Sequence, residues 1–126
     1  MKHQESIDQQ ALFNWARFLS VRYPALKLMF HIPNGQKLAG SPLQRAKTAM
    51  RLKSEGMKPG VPDICLPVPS APFHGLFIEM KRKNGGKVSS EQQDWIDNLQ
   101  AQGYRALVCK GVDEAQRAII EYLDLR

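Results

Sequence analysis

Apolar residues at Ile7, Ala11, Leu12, Trp15, Ala16 and Leu19 recur at the spacing of one helical face, and the pattern stops before Pro24. An amphipathic helix therefore opens the chain. Residues 26–32 (LKLMFHI) read as a strand closed by Pro33-Asn34-Gly35, a turn in which proline presets one φ and Asn-Gly tolerates positive φ. Ser41-Pro42-Leu43-Gln44 is a helix start, with a serine N-cap, proline at the first helical position and a glutamine to complete a capping box. Leu43, Ala46 and Met50, with Ala49 at the margin, form that helix's apolar stripe, Arg45, Lys47, Arg51 and Lys53 point elsewhere, and Gly56 supplies the stop.

Residues 61–68 and 76–82 are the next two extended segments, and the Pro/Ser/Ala-rich connector 69–75 between them predicts a hairpin. Ser89 and Gln92 repeat the capping box at the head of a helix carrying Trp95, Ile96 and Leu99 and ending at Gly103. Residues 104–109 form a short apolar strand. Asp113 and Gln116 then open a last helix that buries Ala115, Ile119, Ile120 and Leu123. The order α-β-α-β-β-α-β-α, without internal repeat or low-complexity tract, predicts an α/β fold with a small mixed sheet flanked by helices; strand order is not readable from the pattern.

Length supports this picture: 126 residues, 43% hydrophobic and 24% charged, are enough for one core, and one domain over 1–126 is expected. No apolar run nears the roughly 20 residues of a membrane span, and the polar start MKHQESIDQQ lacks the apolar stretch of a secretory signal. Cys65 and Cys109 lie far apart without a CxxC or zinc-finger spacing, so neither a disulfide scaffold nor a structural zinc site is supported, and both read as small buried hydrophobes. A reducing cytoplasm, bacterial or that of a phage-infected host, is the expected setting.

Charge sharpens the reading because it is lopsided. Residues 1–60 hold ten Lys/Arg against three Asp/Glu, and residues 61–126 hold eight against nine, so the whole net +6 arises in the first half. With a pI near 9.6, a concentrated positive field of this kind suits a polyanion, nucleic acid being the commonest. A basic face that is merely solvated is the alternative. The nucleic-acid contacts expected are Asn34, Lys37, Arg45, Lys47, Arg51, Lys53 and Lys58.

The sharpest chemistry lies on the predicted hairpin. Pro62-Asp63 begins one strand and Glu79-Met80-Lys81 ends the next; alternation puts Glu79 and Lys81 on one face and Met80 on the other. If the strands pair, Asp63 can meet Glu79. Two converging carboxylates repel unless a proton or cation lies between them, and hard oxygen donors without Cys or His select Mg²⁺ or Mn²⁺ over zinc. A lysine beside such a metal can orient or deprotonate water, or stabilise charge on a phosphate oxygen. Taken singly, Glu-x-Lys on a strand is usually an exposed ion pair, and Asp after Pro a turn residue. The apolar run Leu76-Phe77-Ile78 ahead of Glu79 argues for a buried strand, where a lone carboxylate is costly; a buried ion pair with Lys81 is the competing explanation.

These strings together carry a resemblance. Ile32-Pro33-Asn34-Gly35, then Gly56-Met57-Lys58-Pro59-Gly60-Val61-Pro62-Asp63, Phe77-Ile78-Glu79-Met80-Lys81-Arg82, Ser89-Ser90-Glu91-Gln92 with Trp95, and Gly103-Tyr104 resemble the VRR-NUC domain, the virus-type replication-repair nuclease branch of the PD-(D/E)XK superfamily. The resemblance runs from Glu5 to about Leu123 and is closest to the stand-alone phage or bacterial type. It implies a restriction-endonuclease-like core, with Asp63, Glu79 and the Met80 carbonyl ligating Mg²⁺ (Mn²⁺ as substitute) and Lys81 as catalytic lysine. It also implies an acidic residue on the first helix, for which Glu5, ahead of Gln9, fits and Asp8 competes, and a site glutamine at Gln92, whose alternative role is capping-box partner of Ser89. The activity implied is a structure-selective endodeoxyribonuclease that resolves Holliday junctions or other branched DNA as a homodimer. Two other readings compete: a non-catalytic basic DNA-binding module, and a sequence-specific, restriction-like nuclease. Trp15, Trp95, Phe13, Phe18 and Phe30 are expected to pack in the core rather than stack on bases, and His31 to be a hydrogen-bonded structural histidine.

Overall fold

A computed structural model describes residues 2–33 and 38–125, with side chains from residue 4 onward. Asn34 and Lys37, two of the expected DNA contacts, fall outside the described residues. Helix α1 (Lys2–Leu19) is followed by a 3₁₀ turn (Pro24–Leu28), strand β1 (Phe30–His31), α2 (Pro42–Ser54), β2 (Ile64–Leu66), β3 (Leu76–Lys81), α3 (Ser90–Ala101), β4 (Arg105–Lys110) and α4 (Val112–Asp124). The expected order holds, with the 3₁₀ turn added. The sheet runs β1-β2-β3-β4, antiparallel through β3 and parallel between β3 and β4, where α3 makes the crossover that a parallel pair requires.

Register sorts the two faces. His31 pairs with Ile64 and Ile64 with Ile78, whereas Phe30 pairs with Cys65 and Cys65 with Phe77, which in turn faces Ala106. Ile64, Leu66, Leu76, Ile78, Met80 and Cys109 pack with Leu12 and Ala16 of α1 and Ala115, Ile119, Tyr122 and Leu123 of α4. The opposite face holds Cys65, Phe77, Glu79 and Ala106; α3 lies there, its Gln100 amide donating to the Ala106 carbonyl at 2.9 Å. Both cysteines are buried, as expected, and burial pushes the Cys109 thiol up to about 12, far from nucleophilic use.

Four expectations need correction. The segment 26–32 is not one strand: Pro24 at the first position favours a helical turn, Leu26 and Met29 are buried at three-residue spacing, and only Phe30 and His31 remain extended. The stripe of α2 is not buried: the helix has no buried residue, and Leu43 and Met50 are 66% and 72% exposed. Helix α4 does not open on an Asp113–Gln116 box; Gly111 is its N-cap at φ +84°, a conformation open to glycine, and Glu114 accepts the Lys110 N–H at 2.8 Å. Finally, Phe18 and Phe30 lie at the surface, 84% and 47% exposed, rather than in the core. Phe30 is on an edge strand, and Phe18 lies between the core-facing positions Ala16 and Leu19 of α1, with its side chain turned outward.

Candidate active site

Strand β2 is only three residues long, hemmed by Pro62 and Pro67, and its brevity creates the site. The ladder ends at Ile64↔Ile78, so one step further Asp63 stands across from Glu79 on the α3 face. Beyond that point β3 has lost its neighbour, and the Met80 N–H donates to Asp63 Oδ2 at 2.8 Å instead of to a strand carbonyl. This bond fixes the Asp63 carboxylate at the end of the ladder. A residue's N–H and C=O leave a strand along the same edge, so the Met80 carbonyl points to Asp63's side too, while its thioether is buried in the α1/α4 core.

The preceding loop is clamped. Gly60 (φ +89°) lies so close to the first turn of α3 that a Cβ there would stand 2.7 Å from the Glu91 backbone, and the Trp95 indole donates to the Pro59 carbonyl at 3.1 Å. From the other side, the Ile32 N–H donates to the Asp63 carbonyl at 2.7 Å, and the His31 ring Nδ1 lies 3.0 Å from the same oxygen. Asp63 is thus held through its main chain by β1 and through its side chain by β3. The expectation of a hydrogen-bonded His31 holds.

Glu79 is 3% exposed. Its Oε2 accepts from the Gln92 amide at 3.2 Å and lies 3.6 Å from Lys81 Nζ, whose side chain is 11% exposed. Its Oε1 is buried without a partner, and among the described residues it is the one buried side-chain polar atom in that condition. Burial, then the neighbouring Asp63 charge, drive the Glu79 carboxyl up from 4.5 to about 8, against a smaller downward pull from Lys81. The bare site therefore lacks positive charge. An ordinary buried ion pair with Lys81 does not satisfy it: Lys81 reaches Oε2, and Oε1 has only the Asp63 carboxyl beside it, with which it can share a proton or a cation.

Gln92 resolves an alternative that spacing leaves open. Its backbone N–H donates to Ser89 Oγ (3.1 Å) and its Oε1 accepts from the Ser89 N–H (2.9 Å), completing the capping box, while its Nε2 donates to Glu79. One amide serves both roles, its oxygen in the cap and its nitrogen in the site.

Other expected residues are spread out. Glu5 is half-buried on α1 and makes no hydrogen bond or ion pair with Asp63, Glu79 or Lys81; among the described residues no three His, Cys, Asp or Glu side chains gather as a metal cage. Glu5 and Gln9 share a helix face, and Gln9 lines a groove with His31, whereas Asp8 lines a separate open groove of about 830 Å³ with Arg82, Lys83, Lys110 and Arg117 and the acids Asp113 and Glu114. That groove gathers four cations against three acids, so it is close to charge balance, like the second half of the sequence. On α2, Arg45 donates to the Gly40 carbonyl and Arg51 pairs with Glu55 at 3.3 Å, while Lys47, Lys53 and, in the following loop, Lys58 are exposed.

The donor set is two carboxylates and a main-chain carbonyl, all hard oxygens, with an orphaned buried oxygen beside them. It fits Mg²⁺ or Mn²⁺, which bind few protein ligands and keep several waters, and does not fit zinc.

The sequence profile of the VRR-NUC domain matches residues 4–113. A solved structure described as a VRR_NUC domain protein superimposes with a TM-score of 0.79 at 27% identity, over 97% of this chain and 89% of that one. No curated protein sequence matches the chain. No helix among the described residues is long and apolar enough to cross a membrane.

Proposed function

Since the chain belongs to the VRR-NUC domain family, we propose that it is a metal-dependent, structure-selective endodeoxyribonuclease that hydrolyses phosphodiester bonds in branched DNA, Holliday junctions included, and works as a homodimer. The observation that carries this is the buried, unpartnered Oε1 of Glu79 beside Asp63 and Lys81. Two carboxyl groups buried side by side need a proton or a cation between them, and a metal-ligand pair meets that need with its ion.

Asp63, Glu79 and the Met80 carbonyl would hold Mg²⁺ or Mn²⁺. An ion held there would supply charge neutralisation for the non-bridging phosphate oxygens and lower the pKa of an attacking water. Lys81 Nζ, kept nearly dry beside Glu79, orients that water or stabilises charge on the phosphate. Gln92 holds the Glu79 carboxylate in place, and the Met80 N–H does the same for Asp63. The cations of α2 bind the backbone, which positions DNA without reading sequence, so selection by shape suits this protein better than a base code. A two-fold dimer would present two such sites to a pseudo-symmetric four-way junction.

Labelled duplex, flap, splayed-arm and four-way substrates incubated with Mg²⁺, Mn²⁺ or EDTA test this directly. Cutting of branched substrates only with metal is expected. Failure to cut any substrate, together with no Mn²⁺ binding by calorimetry in the presence of DNA, would leave a basic DNA-binding module. Cutting confined to one short sequence in a random duplex pool would replace shape selection by a restriction-like specificity.

A further inference from the structure

Strand β4 brings a second lysine to the rim of the site. In the parallel ladder Glu79 pairs with Val108 and Lys81 with Lys110. Met80 and Cys109, the residues before the two lysines, both pack in the α1/α4 core. By alternation, Lys81 and Lys110 therefore both leave the sheet on the α3 face, where Glu79 stands, with their main chains one strand spacing of about 4.8 Å apart. The end of β4 is held in that place: the Gly111 N–H donates to the Lys81 carbonyl at 2.8 Å, and the Lys110 N–H to Glu114 Oε1 at 2.8 Å.

The two ammonium groups are used differently. Lys81 is nearly dry, and its Nζ lies 3.6 Å from Glu79 Oε2. Lys110 is exposed, and among the described residues it makes no ion pair, although Asp8, Asp113 and Glu114 border the same open groove. Like charges opposite one another on neighbouring strands destabilise a sheet, and an anion lying over them removes that cost. A nucleic-acid strand carries such an anion at every nucleotide. Asp63, Glu79, Lys81 and Lys110 follow one another across β2, β3 and β4, so a strand whose scissile phosphate meets the first three has its next phosphate available to the fourth. We infer that Lys110 binds the phosphate adjoining the scissile one, and that the strand being cut crosses the sheet from Asp63 toward β4. The inference rests on the nuclease reading and adds to it the path of the substrate strand. An ammonium is a point charge without the fork that reads a base, so this contact positions the backbone whatever the sequence.

Cutting kinetics on substrates in which a neutral methylphosphonate replaces one phosphate at a time around the mapped cut test this. In wild type, replacement of the phosphate adjoining the cut on one side is expected to lower kcat/KM by about tenfold, the worth of one hydrogen bond to a charged group. Lys110→Gln lowers kcat/KM on the all-phosphate substrate by a similar factor and makes that one replacement harmless, while replacements elsewhere keep their effects; Lys110→Arg recovers most of the loss. If every methylphosphonate costs the Lys110→Gln protein as much as it costs wild type, or if the cancelled position does not adjoin the cut, the inference is overturned while the nuclease reading stands. If the protein cuts nothing, the nuclease reading fails, and anisotropy titrations of the same substrates decide whether Lys110 holds a backbone phosphate: cancellation at one position supports the contact, and additive losses throughout overturn it.

Discussion

Helices α2 and α3 open on the same local grammar and end in different roles. Each begins with a Ser-x-x-Gln capping box that is fully formed, and they run 13 and 12 residues. Yet α3 buries Ile96, clamps the loop ahead of Asp63 and sends its box glutamine into the site, whereas α2 buries nothing and its box glutamine bonds only its own serine. A capping box fixes where a helix starts; it carries no information about what the helix packs on. Docking of α3 comes from Ile96 and Trp95 and from the missing side chain of Gly60. Helix α2, with four cations and one acid at its end, has no such anchors and is free to lie on a polyanion.

The largest effect separating the two regions is on chemistry. Asp63→Ala, Glu79→Ala and Lys81→Ala, all at the α3 end of the molecule, are expected to lower cutting by roughly 10³-fold or more with DNA affinity nearly intact. A fluorescence-anisotropy titration beside single-turnover kinetics checks this; weakened binding without loss of cutting would reverse the assignment.

Stability comes next. Between pH 4.5 and about 8 folded Glu79 keeps a proton that the unfolded chain has released, so the metal-free protein is most stable below about pH 4.5 as far as this group is concerned. That contribution is lost as pH rises from there through the folded value of about 8. Urea melts at pH 5 and pH 8 should show the decline, Glu79→Gln should flatten it, and Mn²⁺ at pH 8 should restore it in wild type but not in Asp63→Ala.

A smaller, opposite pattern is expected on α2. Replacing Arg45, Lys47, Arg51 and Lys53 by alanine weakens DNA binding and makes its salt dependence shallower, by up to about one in slope for each phosphate no longer neutralised. The thermal midpoint stays within about a degree or two, because the helix is not part of the core. The finest comparison is between the two box glutamines. Gln44→Ala and Gln92→Ala each cost about 1 kcal/mol of capping or less, but only Gln92→Ala should lower kcat, about tenfold, through a loosened Glu79. Equal kinetics in the pair would reduce Gln92 to a cap.

Legibility in the sequence follows the range of the interaction involved. Both capping boxes, the hairpin, and the pairing of Asp63 with Glu79 and Lys81 are readable, because they depend on near neighbours or on strand alternation. The turn at 24–28 reads as strand because Leu26, Leu28 and Phe30 also alternate, although the proline that starts a helical turn is the stronger local signal. Exposure of Leu43 and Met50 is unreadable because an apolar stripe is written identically whether or not something covers it. The Asp63–Met80 bond depends on the residue at which β2 stops, and that is settled by the third dimension: the prolines on either side, and the loop pinned to α3.

That pinning ties together groups that sequence separates. With no side chain at position 60, the strand entering the site rides directly on the helix that delivers Gln92, so the loop that leads to Asp63 and the amide that steadies Glu79 share one joint. Thickening the joint by one methyl would press the first turn of α3 away from the loop and draw the Gln92 amide off Glu79, so the protein could be detuned from a residue that carries no side chain of its own.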